Sequence, residues 1–285
     1  MPDYDVMMYP NDFPALSQEP YEPDPVATSF FKTAPAYGKC EVVLYSPNHT
    51  ITLPELPVPH IRKLVDLWTE RFVEISKDES VKYVFIFENR GDVVGVTMPH
   101  PHGQIYGYSW VPKKIELEVE AAREHLAEHG ECIFCRMIRE EHDAGVRVIF
   151  ENEHFSVVLP FFTEYPYGVY IYAKRHIQNL AQMTDAEKTS LAATLRDTVG
   201  MLDSLFDKQF PYMMCMHQNP VNSGDFSDSY HFHIEFFPPM RSGDKQKFNA
   251  SSETGVWAHC NPTAPEEKAE ELRDAYAKFL RSQKA

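Results

Sequence analysis

The sequence predicts an α+β protein made of two tandem copies of one unit, each an antiparallel sheet with helices packed on it. Three observations predict this. Short apolar or aromatic runs of strand length, bounded by turn residues, recur along all 285 residues and alternate with helical periods. One long helical period falls inside each half, between two such runs. The order of histidines then repeats: His49 precedes the first long helix and His100 follows the next strand, while His176 and His231 do the same in the second half. Self-similarity of this kind marks a duplicated unit.

The elements follow in order. Through the first forty residues Pro10, Pro14, Pro20, Pro23, Pro25 and Pro35 interrupt any regular period, so this stretch reads as an extended segment wrapping a core. A strand spans Cys40 to Tyr45, and a helix runs from about Pro59 to Ile75 with Ile61, Leu64, Trp68, Phe72 and Ile75 at helical spacing. A second strand, Tyr83 to Phe87, ends in the turn signal Asn89-Arg90-Gly91, and His100-Pro101-His102-Gly103-Gln104 leads into the aromatic strand Ile105 to Trp110. In the second half, strands at 147–150, 155–159 and 169–173 precede a helix opening on Thr184-Asp185-Ala186-Glu187, a capping-box pattern, and carrying Leu191, Leu195, Leu202 and Leu205. The Met- and Tyr-rich run Tyr212 to Met216 reads as a buried strand, and His231-Phe232-His233-Ile234-Glu235 and a tail helix from about Pro265 to Leu280 close the chain. The boundary between the units is placed at residues 1–130 and 131–285.

Composition excludes several functions. With 43% hydrophobic residues the chain is no disordered segment. A formal net charge of −15 opposes nucleic acid as a partner, since backbone binding draws on clustered Lys and Arg. An anionic substrate would need local cationic or amide-rich groups. No apolar run approaches the ~20 residues of a spanning helix, so no membrane partner is expected. The start MPDYDVMMYP lacks the basic flank and apolar stretch of a signal peptide, and the expected location is the cytoplasm. Five cysteines then fit thiols or metal ligands better than a disulfide framework.

Two constellations carry chemistry. Alternate residues of an extended segment share a face, so His100, His102 and Gln104 would point one way if this stretch runs into the following strand. A neutral imidazole there can attack phosphorus directly, and a hydrogen bond to its other ring nitrogen selects the reactive tautomer; the plain alternative is a surface turn. Second, Cys132-Ile133-Phe134-Cys135 with His176 and His231 makes a Cys2His2 set suited to a closed tetrahedral zinc site. A redox dithiol has the same spacing, whereas a metal also accounts for the two histidines. Cys215 and Cys260 read as ordinary packed thiols. Tyr106, Tyr108 and Trp110 alternate and would cover the neighbouring half or a partner subunit.

Phe87-Glu88-Asn89-Arg90-Gly91 through Gly95, Pro99 and His100-Pro101-His102-Gly103-Gln104-Ile105 resembles the active-site signature of galactose-1-phosphate uridylyltransferases, a branch of the histidine-triad superfamily. The likeness extends over nearly the whole chain. Asn11-Asp12-Phe13 resembles the family's uridine-contacting Asn-Asp-Phe, Ser46-Pro47-Asn48-His49 through Leu53-Pro54-Glu55-Leu56 its metal-ligand region, and Lys247-Phe248 with Glu253 its sugar-nucleotide loop.

The resemblance implies two histidine-triad-like units and a two-step transfer. His102 would attack the α-phosphorus of UDP-glucose, release glucose 1-phosphate and hold a uridylyl group that galactose 1-phosphate takes to form UDP-galactose. Histidine-triad hydrolases place a third histidine where Gln104 stands. A glutamine can hydrogen-bond phosphate oxygens but cannot transfer protons, so the covalent state waits for a sugar phosphate. Asn89, Gly95, Thr97 and Gln104 would line the phosphates, with Lys247 compensating charge. His49 and His100 match ligands of another zinc whose Cys-x-x-Cys lies upstream in relatives. No such pair precedes Cys40, which leaves that site incomplete and makes an additional N-terminal segment expected. Glu118, His217 and His233 fall where some members bind a second metal. A homodimer with shared active sites is implied. Two alternatives stay open: an adenylyl-transferring phosphorylase acting on ADP-glucose, and a zinc-stabilised nucleotide-binding protein without turnover.

Overall fold

A computed structural model describes residues 4–20, 22, 27–96 and 98–284. Among these, nine strands form a single sheet: β1 (Met7–Pro10), β2 (Gly38–Leu44), β3 (Tyr83–Arg90), β4 (His102–Tyr108), β5 (Val148–Glu151), β6 (Phe155–Val158), β7 (Tyr170–Ala173), β8 (Tyr212–His217) and β9 (His233–Phe237). The helices are α1 (Val58–Ser76), α2 (Lys113–His129), α3 (Ile133–Ala144), α4 (Asp185–Leu205), α5 (Ser251–Val256) and α6 (Pro265–Ser282).

The strand order β1-β2-β4-β3-β8-β9-β7-β6-β5 contains the duplication. The triplets β2-β4-β3 and β7-β9-β8 are the same arrangement, each with a long helix after its first strand. They meet where β3 pairs antiparallel with β8, from Ile86↔Met216 to Arg90↔Tyr212. The sequence reading gives each unit its own sheet; edge-to-edge pairing fuses them and removes two open edges. The Pro-rich start contributes β1, a short strand on the outer edge of β2, where proline does least damage to a ladder.

One face of the sheet carries the main core. On α1, Ile61, Leu64, Val65 and Trp68 are fully buried, as are Leu191, Leu195 and Leu202 on α4, and the two helices pack on each other and on the sheet. Helix α6 covers α4 with Ala269, Leu272 and Phe279. A methyl on Gly200 would lie 2.2 Å from the Phe279 ring, so only glycine lets these helices approach. The start of α4 is a capping box: Thr184 Oγ1 accepts the Glu187 N–H at 3.2 Å and a Glu187 carboxylate oxygen accepts the Thr184 N–H at 2.7 Å.

Arg175 grips the same carboxylate with two nitrogens at 2.7 and 2.8 Å and lowers its pKa to about 2, with help from Thr184 against burial. A carboxyl held low in the folded state contributes stability above its unfolded pKa and loses it as pH falls through the folded value. Glu187→Gln should therefore cost about 1–3 kcal/mol at neutral pH. It should also flatten the loss of stability between the ordinary carboxylate range and pH about 2, measured by denaturant melts across pH.

The other face is covered unevenly. Ile115, Val119 and Ala122 of α2 and Phe134 of α3 pack on Tyr170 and Tyr172 of β7 and on Tyr83 at the β3 boundary. Over the first half, the half-buried side chains of Phe85, Phe87, Tyr106 and Tyr108 continue to Trp110, which is exposed. Gly130, in the left-handed conformation at φ +72°, ends α2 and reverses the chain into α3, which begins at the Cys-x-x-Cys. Cys260 departs from the sequence reading. It is exposed, because the segment between α5 and α6 has no apolar period to bury it. No helix among the described residues is long and apolar enough to cross a membrane.

Candidate active site and metal centres

His102 opens β4 and lines a cleft of about 170 Å³ together with Tyr45, Glu88, Asn89, Arg90 and His100. Because the strand begins at His102, regular alternation holds for His102 and Gln104 only. His100 lies in a bend and is buried, its Nε2 2.7 Å from the Ser46 carbonyl. A carbonyl can only accept, so Nε2 of His100 carries the proton. The same logic fixes His102, whose Nδ1 sits 2.8 Å from the His100 carbonyl. The proton is on Nδ1, and Nε2 keeps a free lone pair.

The floor under His102 is rigid. Tyr45 donates its N–H to the Pro101 carbonyl at 3.1 Å and its hydroxyl to Glu88 at 3.0 Å, and Tyr212 donates to the other Glu88 oxygen at 2.9 Å. Burial pushes the Glu88 carboxyl above its ordinary range despite these bonds. A methyl on Gly103 would lie 2.4 Å from the Tyr45 hydroxyl and 3.1 Å from the Phe87 carbonyl. Gly103→Ala is expected to cost about 1–3 kcal/mol in a denaturant melt, and Tyr45→Phe in the same chain should return part of it by removing the clashing oxygen.

Around this point the structure gathers several residues singled out by sequence. Gln104 follows two positions after His102 on the same face, and its Oε1 receives Asn11 Nδ2 at 3.4 Å and the Tyr106 hydroxyl at 3.3 Å. Asn89 lines the cleft. Gly95, at φ +82°, has nothing within 4 Å of where a Cβ would stand. Asp12 and Phe13 are exposed, and Thr97 lies outside the described residues. His49 meets His100 with the two Nδ1 atoms 2.6 Å apart; among the described residues no third histidine, cysteine or carboxylate completes that pair.

The second half repeats these contacts around sulfur. Nε2 of His231 is 2.7 Å from the Ala173 carbonyl and Nε2 of His176 is 2.7 Å from the Ser227 carbonyl. Both rings therefore turn Nδ1 lone pairs toward Cys135, at 3.4 and 3.2 Å. The ligand atoms of Cys132, Cys135, His176 and His231 all lie within 4.8 Å of one another. A hydrogen bond from Cys135, and then His231, push the Cys132 thiol down, while Cys132 and burial push Cys135 up. Two soft donors, two oriented imidazoles and backbone carbonyls fixing the tautomers form a donor set that could hold a metal ion.

A second cluster joins Glu118, His217 and His233 to Glu235. His217 Nδ1 is 3.0 Å from Glu118, and His217 Nε2 and His233 Nε2 are 3.4 and 3.5 Å from Glu235. Lys114 reaches Glu235 at 2.6 Å. Burial alone would raise Glu235, yet His217, His233 and Lys114 hold it below the usual range. Glu235 was not anticipated from sequence. Its signal was the repeat: His233-Ile234-Glu235 is the copy of His102-Gly103-Gln104, and His233 Nδ1 lies 2.9 Å from the His231 carbonyl, as His102 does from His100. The two metal-type clusters share no residue, since His231 faces the sulfurs and His233 the carboxylates.

Lys247, Phe248 and Glu253 are not brought to His102. Lys247 is buried 3.5 Å from Glu253 and over the Tyr165 ring, which packs on Phe237. Gln104, Phe87, Cys215 and Glu235 stand in one row across the sheet, and Phe237 lies two residues beyond the far end of that row. Phe248 is exposed.

One sheet of two like halves, with an oriented imidazole at the head of the same strand in each, defines a duplicated α+β protein with a histidine presented at a cleft. Residues 1–112 match the model of the galactose-1-phosphate uridyl transferase N-terminal domain and residues 118–278 that of the C-terminal domain. A galactose-1-phosphate uridylyltransferase of Thermotoga maritima is 42% identical over 272 residues, covering 95% of this chain and 85% of the relative. One of Rattus norvegicus is 32% identical, covering 95% and 72%. A solved uridylyltransferase superposes with a TM-score of 0.91 at 33% identity, covering 97% of this chain and 88% of that one. The chain belongs to the galactose-1-phosphate uridylyltransferase family of nucleotidyltransferases. An ADP-glucose phosphorylase of Arabidopsis thaliana, solved with ADP-glucose, shares the fold at a TM-score of 0.83 and 23% identity. Neither the adenylyl-transferring alternative nor the non-catalytic one is favoured by these relatives.

Proposed function

We propose that the chain moves a uridylyl group from UDP-glucose to galactose 1-phosphate through His102. The observation that carries this reading is the hydrogen bond of His102 Nδ1 to the His100 carbonyl at 2.8 Å, which leaves Nε2 as a nucleophile at the cleft. Nε2 attacks the α-phosphorus, a P–N bond forms, and the bond from that phosphorus to the bridging oxygen breaks. Glucose 1-phosphate departs with the electron pair. A phosphate oxygen of galactose 1-phosphate then attacks the same phosphorus from the opposite side, breaking the P–N bond and regenerating the imidazole. Asn89 and Gln104 donate to the phosphoryl oxygens as charge shifts between them. Neither can deprotonate a water, so hydrolysis of the intermediate is slow.

Cys132, Cys135, His176 and His231 would hold zinc, which when bound ties the start of α3 to the loops after β7 and before β9. Glu118, His217, His233 and Glu235 would hold a second cation, and His49 and His100 would give half of a further site. Lys247, Phe248 and Glu253 would serve the cleft of a second copy, in a homodimer that covers the open aromatic face. All five cysteines are free, which fits a reducing cytoplasm.

The reading is tested by intact-mass measurement after mixing the protein with UDP-glucose and without an acceptor. One added uridylyl group, removed by galactose 1-phosphate, is expected. A protein that turns over both substrates with no such adduct would exclude the covalent route.

A further inference from the structure

Gln104 stands two positions after His102 on the same face of β4, and the two ends of its carboxamide have opposite meanings for a phosphate. The NH2 end donates to anionic oxygens; the carbonyl end repels them. From the contacts around it we infer that Asn11 is a positioning residue that fixes this polarity, a task separate from contact with uridine and resting on the transfer reading above.

The Phe13 N–H and Asn11 Nδ2 each have only one hydrogen-bonding choice. Asn11 directly follows β1 and is anchored by its own N–H to the Cys40 carbonyl at 3.0 Å. The Phe13 backbone N–H reaches Asn11 Oδ1 at 2.9 Å. A backbone N–H can only donate, so Oδ1 must face Phe13 and Nδ2 must face away. Nδ2 in turn can only donate, and its partner at 3.4 Å is Gln104 Oε1. The Tyr106 hydroxyl approaches the same oxygen at 3.3 Å. With its oxygen held by two donors, Gln104 presents Nε2, a pure donor, toward the side of the sheet that His102 occupies. Polarity therefore passes from the backbone of the N-terminal segment to the phosphate-facing amide two strands away.

The test is a ranking and a double-mutant cycle, read as the single-turnover rate of His102 uridylylation at saturating UDP-glucose. Asn11→Asp keeps the size but replaces the donor with an acceptor. Gln104 then turns its NH2 toward the new carboxylate and its oxygen toward the phosphates, and the rate should fall on the order of 10²-fold. Asn11→Ala leaves the amide free to choose, and should fall only about tenfold. A role in packing alone would rank these variants the other way, since aspartate is the closer isostere. In a Gln104→Ala background, Asn11→Asp should produce little further loss, because no amide remains to be turned. Tyr106→Phe, which removes the second donor without altering the loop, should slow the wild-type chain and leave the Gln104→Ala chain unchanged.

Equal losses from Asn11→Asp with and without Gln104 would overturn the positioning role while leaving the transfer reading intact. Absence of the adduct in the unmodified protein would remove both.

Discussion

Replacing His102 by asparagine should lower uridylyl exchange by about 10⁴-fold or more and abolish the covalent adduct, with the fold unchanged. The size of the effect follows from the nature of the step. The P–N bond is the intermediate, and no neighbour can make it: His100 has its ring turned away, with Nε2 on Ser46 and Nδ1 on His49, and Glu88 is enclosed by two tyrosine hydroxyls. The variant should keep its melting temperature within a few degrees, because His102 is half-buried and only its Nδ1–H is committed, to His100. Exchange of labelled glucose 1-phosphate into UDP-glucose reads the first half-reaction alone. Exchange near the unmodified level would show that the nucleophile lies elsewhere.

Cys132→Ser, or exhaustive chelation of the unmodified protein, should lower stability on the order of 5 kcal/mol or more, a fall in melting temperature of about 10 °C for a chain of this size. The mechanism is linkage. A structural ion binds only where four donors are already gathered, so its binding energy is folding energy. Cys132 caps the start of α3 and Cys135 lies in its first turn, while His176 and His231 belong to loops flanking β7 and β9; losing a bound ion would free all three segments together. Metal content measured in parallel distinguishes this from a packing defect. Serine should reduce zinc per chain as well as melting temperature, and zinc should restore the chelated protein but not the variant. Unchanged stability on complete metal removal would contradict a structural ion and favour the redox dithiol.

The site was legible wherever chemistry depends on neighbours in the chain. His102 and Gln104 share a face because they sit two apart in a strand, and Cys132 and Cys135 share a helix turn because they sit three apart. The duplicated order of histidines also carried through, down to paired tautomer contacts at His100 and His231. What escaped sequence reading lay in residues whose role is set by distant partners. Glu235 is an ordinary strand glutamate until β8 and α2 bring His217 and Glu118 to it. Tyr45 is an ordinary core tyrosine until β3 places Glu88 against its hydroxyl.

Sequence by itself determined the class of fold, the repeated unit, the placing of His102 beside Gln104 and that of Cys132 beside Cys135, because each is a local pattern of spacing and residue type. Tertiary structure decided which half of the sheet stays open, which histidines face sulfur and which face carboxylate, and which way the Gln104 amide points. Those outcomes depend on strand pairing and on single-choice hydrogen-bond donors from far along the chain, and neither is written in any short stretch of residues.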